Sequence, residues 1–198
     1  MPARIRTFAA VALAAALCAC SSTSTEAGGV LRGRVVGLSD GDTITVVDAA
    51  KARHKIRLTG IDAPEKKQPF GSRSSEHLSS LVFQKEVEVR WAKRDHYGRI
   101  LGKVMVADPA CRREPCPRID ANLSQIEAGF AWWYRQYAKD QPPEDRRTYA
   151  AAEERSREAK RGLWADPAPV PPWKWRHPKK AGSNVEKEGR KRHAGAAP

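Results

Sequence analysis

Apolar and polar residues alternate with a period of mostly two between Val30 and Trp91, a pattern typical of β-strands that bury one face. The alternation predicts five short strands, at 30–36, 43–47, 55–58, around 87–89 and at 100–106. Asp40-Gly41, between the first two strands, is a strong local signal for a hairpin turn. The first half of the chain is therefore predicted to be a small sheet or barrel.

Three further stretches have helical spacing or helix-end signals. The predicted helices begin after Gly71-Ser72, at Asp120 and at Pro142-Pro143. Leu78 and Val82 lie on one face of the first helix, while Gly129 and Gly162 are natural ends for the other two. Five strands with a helix after the third indicate an α+β fold, a five-stranded OB-type β-barrel with three flanking helices. Periodicity alone also allows other α+β folds.

The first 20 residues have the pattern of an export leader. Arg4 and Arg6 precede ten apolar residues, and a polar Ser/Thr stretch follows. Leu17-Cys18-Ala19-Cys20 resembles a bacterial lipoprotein cleavage box, so residues 1–19 are predicted to be a lipoprotein-type signal peptide and Cys20 the lipidated residue. The alternative is a plain signal-peptidase site among residues 14–16. Either interpretation predicts an exported protein of the cell envelope, lipid-anchored through Cys20 or else periplasmic or secreted.

Composition divides the rest of the chain into four segments. Residues 20–29 are predicted to be a flexible linker, 30–166 the folded domain, 167–178 a Pro/Trp-rich extension and 179–198 a disordered basic tail. Trp173 and Trp175 are too bulky for a free linker, so the extension is expected to dock on the domain in an extended form. No feature implies a protein partner, and a monomer is expected.

Positive charge is the main feature of the composition. The chain has 36 Lys and Arg residues against 23 Asp and Glu, a formal net charge of +13. This balance favours polyanionic partners, such as nucleic acids or acidic lipid headgroups. A polytopic membrane protein is excluded, because the sequence has one apolar run and that run is too short to span a bilayer comfortably.

Two cysteines outside the leader close a short loop. Cys111 and Cys116 bracket Arg-Arg-Glu-Pro, and an exported protein would most simply join them in a disulfide. A metal site would need two more ligands, and no histidine lies nearby in the sequence. The loop is therefore predicted to have a structural role.

Four acidic residues fall at the ends of two predicted strands: Asp40, Asp42, Asp62 and Glu65. Clustered carboxylates repel one another unless a cation or basic groups neutralise them. Their oxygen atoms, with the carbonyl of Ala63, suit Ca²⁺ or Mg²⁺ rather than Zn²⁺. Asp40 is more simply a turn former, so the metal hypothesis depends on Asp42 and Asp62.

Two arginines are candidate partners for these acids, although each of them taken alone is more simply a surface charge. Arg57 is on a strand five residues before Asp62, and Arg99 follows a Tyr-Gly turn. Guanidinium groups beside a metal–carboxylate cluster suit a phosphodiester, whose transition state concentrates charge on the phosphoryl oxygens.

Three blocks of sequence also stand out by their order and spacing: Asp40-Gly41-Asp42-Thr43, Ile56-Arg57-Leu58-Thr59-Gly60-Ile61-Asp62-Ala63-Pro64-Glu65 and Asp95-His96-Tyr97-Gly98-Arg99. Together they resemble the signature blocks of the staphylococcal (micrococcal) nuclease family, also called thermonuclease-like. The leader would make this chain an exported lipoprotein variant of the family. The resemblance covers about Val30 to Trp164 and implies Ca²⁺-dependent cleavage of DNA or RNA at the P–O5′ bond, leaving 3′-phosphate ends.

The same resemblance implies a role for individual residues. Asp42 and Asp62 would bind Ca²⁺, assisted by the carbonyl of Ala63, and Glu65 would be the general base that activates water. Arg57 would hold the 5′-phosphate and stabilise the transition state.

Further residues of the family pattern would bind the substrate. Arg99 would stabilise the transition state and help the leaving group to depart, while Tyr97 would contact a nucleotide phosphate. The tyrosines that wall the base pocket of the family align less clearly, with Tyr134 the nearest candidate and Tyr137 the next.

Two alternative functions remain open at this point. The chain could be a catalytically inactive OB-type nucleic-acid-binding module of the cell envelope, or an envelope protein whose basic surface lies on anionic lipid. An inactive module would be expected to lose members of the acid and arginine set, and here the set is complete.

Overall fold

The computed structural model describes residues 28–113, 115–116 and 118–177. The predicted signal peptide, Cys20, residues 20–27 of the linker, Pro178 and the 179–198 tail lie outside the described residues and stay predictions. Within the described ranges, no helix is both long and apolar enough to cross a membrane.

Eight strands and four α-helices follow one another along the described chain. The strands are β1 (Gly29–Leu38), β2 (Thr43–Asp48), β3 (Arg53–Leu58), β4 (Ile61–Asp62), β5 (Glu86–Arg94), β6 (Ile100–Ala107), β7 (Arg118–Asp120) and β8 (Trp132–Trp133). The helices are α1 (Gly71–Val82), α2 (Ala121–Glu127), α3 (Pro143–Glu158) and the single turn α4 (Pro172–Trp175). Two 3₁₀ helices cover Arg135–Asp140 and Gly162–Ala165.

Five of the strands close into a barrel. The sheet order is β3-β2-β1-β5-β6, and β3 pairs with β6 in parallel to complete the circle, with Ile56 opposite Ile100. The other barrel pairs are antiparallel. β1 pairs with β5 in continuous register and with β2 across a register shift between Val35 and Gly37. The predicted five-stranded OB-type α+β fold is confirmed, with α1 after the third barrel strand.

The barrel interior is filled by the apolar side chains that set the period of two. Ile44, Val46, Ile56, Val89 and Val104 are fully buried there. Leu78 and Val82 of α1, Ile126 of α2 and Tyr149 of α3 extend the same core. Helices and barrel therefore form one hydrophobic cluster, which fixes the loops between the strands.

Asn122, at the start of α2, connects the helix to the barrel backbone. Its buried side chain accepts a hydrogen bond from the backbone N–H of Val104 (3.1 Å) and donates to the carbonyls of Thr59 (2.9 Å) and Gly102 (3.2 Å). Truncation would take this partner away from the N–H of Val104 and the carbonyl of Thr59, which is costly.

Replacing Asn122 with alanine is expected to lower the free energy of unfolding by about 2–3 kcal/mol. Urea denaturation followed by circular dichroism measures the change. The control is Ser72→Ala on the exposed side of α1, which should stay within about 0.5 kcal/mol of the parent. Equal stability of the two variants would contradict this account of the helix–barrel connection.

A second, two-stranded sheet was not predicted from the sequence. It pairs β4 with β8, with Ile61 opposite Trp133 and Asp62 opposite Trp132. Trp132 is buried in a small cluster with Leu163 and Trp164, as expected for an aromatic residue that packs rather than binds. The pairing holds Asp62 in a rigid position at the mouth of the barrel.

The Pro/Trp-rich extension returns to the domain, but not in the predicted extended form. Its residues 172–175 make one helical turn, α4, because proline is compatible with the first turn of a helix. The ring of Trp173 lies edge-on to Trp132 at 6.3 Å, whereas Trp175 is exposed. The extension therefore ends next to β8 and Asp62.

The short loop between β6 and β7 contains the two cysteines. Their sulfur atoms are bonded and their Cα atoms lie 5.7 Å apart, within the normal range for a disulfide. The predicted disulfide is therefore present, and the structural role of the loop stays a prediction.

Candidate active site

Asp42 ends the turn between β1 and β2. Its backbone N–H donates to Oδ1 of Asp40 at 3.0 Å, so Asp40 forms the turn as predicted. The Asp42 carboxylate is buried, and it accepts hydrogen bonds from the N–H of Ala63 (2.8 Å) and the hydroxyl of Thr43 (3.0 Å). These contacts hold the carboxylate against the segment that follows β4.

Arg57 joins this carboxylate to a second one. From β3, its Nη2 donates to Oδ1 of Asp62 at 2.8 Å, and its Nη1 forms an ion pair with Oδ2 of Asp42. Asp62, in β4, is fully buried, and the Arg57 side chain is only 14% exposed. The structure therefore brings together three of the residues that the sequence placed in one site.

Burial dominates the electrostatics of this group. It raises the pKa of Asp42 to about 7, and the negative charges of Asp40 and Asp62 add to the rise while Arg57 opposes it. Burial also disfavours the charged form of Arg57, but Asp42 and Asp62 outweigh that effect and leave the pKa of Arg57 raised. The Arg57 guanidinium thus offsets part of the cost of burying two carboxylates side by side.

Glu65 lies in the loop between β4 and α1. Its backbone N–H donates to Oε1 of Gln68 (3.1 Å), and Gln68 donates back to the Glu65 carbonyl (2.8 Å), which fixes the loop. The Glu65 carboxylate is partly exposed and accepts a hydrogen bond from Arg176 at 2.9 Å. The same guanidinium reaches both oxygens of Asp62, at 2.8 and 3.2 Å, so Glu65 and Asp62 face a common position.

Arg176 was missed by the sequence analysis. It follows Trp173-Lys174-Trp175 in the extension, and its contact with Asp62 spans 114 residues of sequence. No motif marked it among the many basic residues of the chain. The only signal was the pair of tryptophans, which predicted docking of this segment.

Arg99 and Tyr97 lie in the turn between β5 and β6. The side chain of Asp95 organises the turn by accepting hydrogen bonds from the N–H of Tyr97 (2.9 Å), the N–H of Arg99 (3.0 Å) and Nε of Arg99 (2.7 Å). Burial would raise the pKa of Asp95, but the bonds from Arg99 outweigh it and lower the pKa. The Arg99 guanidinium lies 5.2 Å from the ring centroid of Tyr97, whose side chain is 72% exposed.

The strand register gives the position of Arg99 relative to the carboxylates. Leu101 of β6 lies opposite Arg57 of β3, and Arg99 is two residues before Leu101. In the described part of the chain, none of the Arg99 hydrogen bonds or ion pairs reaches Asp42, Asp62 or Glu65. The structure thus brings Arg57 into contact with the acids and leaves Arg99 at the same edge of the barrel, bound to Asp95.

Tyr134 and Tyr137, the two candidates for a base-stacking residue, lie side by side after β8. Their ring centroids are 5.1 Å apart in an edge-on arrangement, and the N–H of Tyr134 donates to the carbonyl of Gly60. Burial raises the pKa of Tyr134, and the nearby charge of Asp62 adds to the rise. Tyr134 therefore lies within electrostatic reach of the carboxylates, and its ring stacks on Trp173 at 5.5 Å.

The donor atoms of this site suit a hard cation. Asp42 and Asp62 both offer carboxylate oxygens, and their shared contact with Arg57 holds the two side chains together. The backbone N–H of Ala63 fixes the Asp42 carboxylate from the adjoining segment. Among the described residues, no group of three or more His, Cys, Asp or Glu side chains forms a metal cage by itself. A cation would therefore need backbone carbonyls or water in addition to the two aspartates.

The structure combines a five-stranded OB-type barrel with two buried aspartates that both contact one arginine. This combination agrees with the family that the three sequence blocks resemble. Residues 55–166 match the protein family described as "Staphylococcal nuclease homologue". The chain therefore belongs to the staphylococcal nuclease family, which confirms the resemblance and the interpretation as a hydrolase of the nuclease class.

Individual relatives agree with this assignment. The chain is 45% identical over 149 residues to a protein of Escherichia coli named "Uncharacterized endonuclease", covering 75% of this chain and 87% of that protein. It is 40% identical over 153 residues to the "Micrococcal nuclease" of Shigella flexneri, covering 77% of this chain and 84% of that protein. It is also 42% identical over 171 residues to "Protein ParB" of Escherichia coli, covering 86% of this chain and 93% of that protein.

Proposed function

We propose that this protein is a Ca²⁺-dependent nuclease that hydrolyses DNA and RNA at the P–O5′ bond and leaves 3′-phosphate ends. The observation that carries the proposal is the contact of one buried guanidinium, Arg57, with both Asp42 and Asp62. Nuclease relatives that share most of the chain length support the same reaction class.

Arg57 is suited to binding the scissile phosphate. Each Nη of a guanidinium carries two N–H groups, and contact with one carboxylate per Nη leaves donors for phosphate oxygens. Because Asp42 and Asp62 fix the side chain before substrate arrives, little reorganisation is needed as charge develops on phosphorus. Arg57 thus stabilises the transition state from a prearranged position.

Glu65 is the candidate general base. Its carboxylate is partly exposed, so water can reach it, and it shares a guanidinium with Asp62 and so lies beside the buried pair. In the proposed reaction it takes a proton from the attacking water. Arg99, fixed by Asp95, would hold the departing 5′-oxygen, and Tyr97 and Tyr134 would contact the phosphate and base of the substrate.

The metal requirement follows from the chemistry of the donors. Asp42 and Asp62, with the carbonyl of Ala63, are the residues that would hold Ca²⁺, whose charge polarises a phosphate oxygen when the ion is bound. Their carboxylate and carbonyl oxygens are the ligands that a hard cation prefers, and this supports the choice of Ca²⁺.

Removal of the metal ion is expected to lower the cleavage rate at least a hundredfold. The measurement is a gel assay on labelled single-stranded DNA and RNA, with Ca²⁺ or with EDTA, and with excess Ca²⁺ restored after EDTA as the control. End analysis of the products should find 3′-phosphates. Equal cleavage in EDTA would contradict the metal requirement, and a shifted but intact band with Ca²⁺ would instead indicate the inactive nucleic-acid-binding module.

A further inference from the structure

We propose that the end of the extension is an intramolecular inhibitor of the active site. The segment 170–176, here named the C-terminal latch, covers both the cation-binding acids and the face of Tyr134. This proposal rests on the proposed function, because it assumes that these groups bind metal ion and nucleotide.

The first contact of the latch is the guanidinium of Arg176. It donates to both oxygens of Asp62 and to Oε1 of Glu65, at 2.8 to 3.2 Å. The ion pairs with these acids outweigh burial and raise the pKa of Arg176, so the group is cationic at any ordinary pH. Arg57 contacts only Oδ1 of Asp62, whereas Arg176 also occupies Oδ2, so a metal ion that binds this carboxylate competes with Arg176.

The second contact is aromatic. Trp173 lies nearly parallel to Tyr134, with an interplanar angle of 18° and ring centroids 5.5 Å apart. Carbon atoms in contact lie 3.5–4.0 Å apart, so a base held between the two rings would need them roughly 7 Å apart. Trp173 therefore occupies the Tyr134 face that a base would use.

Apolar packing and one hydrogen bond hold the rest of the latch in place. Pro172 is buried, and Trp173 packs against the cluster of Trp132, Leu163 and Trp164. Gln68, which also orders the Glu65 loop, donates through Nε2 to the carbonyl of Val170 at 2.5 Å, and the helical part is the single turn α4. The Arg176 side chain is 35% exposed, so its ion pairs are partly screened by water. The guanidinium can therefore leave Asp62 when a metal ion binds without first breaking the apolar contacts of the latch, which makes the inhibition reversible.

Replacing Arg176 with alanine in the full chain tests the latch through Ca²⁺ affinity. If the latch covers the site in about nine-tenths of the molecules, releasing it in all of them should tighten Ca²⁺ binding about tenfold. Isothermal titration calorimetry with Ca²⁺ gives the affinity without any turnover. The matched control is Lys174→Ala, which removes the same charge from an exposed position on α4 and should leave the affinity within twofold of the parent.

A second measurement separates failure of the latch from failure of the proposed function. Fluorescence anisotropy with a short single-stranded DNA oligonucleotide in EDTA reports nucleotide binding without metal. Arg176→Ala should bind the oligonucleotide more tightly than Lys174→Ala, although both lose one positive charge. If no variant binds Ca²⁺, the metal part of the proposed function is wrong, and the oligonucleotide result alone decides on the latch.

Two outcomes would overturn the proposal. One is Ca²⁺ affinity in Arg176→Ala equal to or weaker than in the parent, in a protein that does bind Ca²⁺. The other is oligonucleotide binding no tighter than that of Lys174→Ala. Either result, together with slower cleavage by Arg176→Ala, would make Arg176 a third substrate-binding guanidinium instead of an inhibitor.

Discussion

Replacement of Arg57 with lysine is expected to slow nucleic-acid cleavage by about a thousandfold, although the positive charge remains. Arg57 contacts Asp42 and Asp62 through two different nitrogen atoms, and a lysine ammonium cannot reproduce that fork. The donors that remain for the phosphate would also be lost or misplaced. The loss should fall on kcat rather than on KM, because the contact strengthens as charge develops on phosphorus.

Fold and chemistry can be separated with two further variants. Arg57→Ala leaves the buried carboxylate of Asp42 without its cation and removes one of the two guanidiniums on Asp62, so it should lower the free energy of unfolding by about 3–5 kcal/mol. Its activity alone is therefore uninformative. Arg53→Lys is the matched control, an exposed arginine of the same strand, and should retain parental activity. Steady-state kinetics on single-stranded DNA, with urea denaturation of each variant, provide the comparison. Full activity in a folded Arg57→Lys variant would mean that Arg57 does not stabilise the transition state.

The barrel could be predicted because its strands bury one face. Alternating positions such as Ile44 and Val46 mark the core side directly, so the five strands and their order along the chain follow from periodicity. The strands β4 and β8 could not be predicted in this way, since two residues have no period. Their pairing depends on contacts between Ile61 and Trp133, far apart in sequence.

The candidate site was predictable only where its residues are local to the signature blocks. Asp42, Asp62 and Arg57 lie on adjacent strand ends, and the hairpins bring them together as expected. Glu65 lies three residues after Asp62, in the loop that follows β4. Arg99 does not contact these acids, because its guanidinium is bound to Asp95, four residues earlier. The role of Arg99 in the reaction stays a prediction.

The extension shows what spacing cannot reveal. Its tryptophans indicated docking, but the proline before Trp173 was interpreted as extended backbone, and it begins a helical turn instead. The turn points Arg176 at Asp62, 114 residues earlier. A contact between residues so far apart in sequence depends on the completed fold. No local sequence pattern therefore identifies Arg176, a single arginine next to a Pro-rich run.

Replacement of Glu65 with glutamine is expected to slow cleavage by about a thousandfold while leaving stability close to that of the parent and oligonucleotide binding no weaker than in the parent. Glutamine has the shape of glutamate but cannot take a proton from water at neutral pH. Single-turnover cleavage of labelled DNA measures the chemical step, and anisotropy in EDTA measures binding. Glu76→Gln, on the exposed side of α1, is the control and should cleave at the parental rate.

The contact between Glu65 and Arg176 makes this test more decisive. Glutamine at position 65 would weaken one ion pair of the latch, and that change alone should free the site and increase activity. A large loss of rate therefore cannot come from the latch and must come from the missing base. A Glu65→Gln variant that cleaves as fast as the parent or faster would mean that Glu65 acts only as a partner of Arg176, and that another group removes the proton.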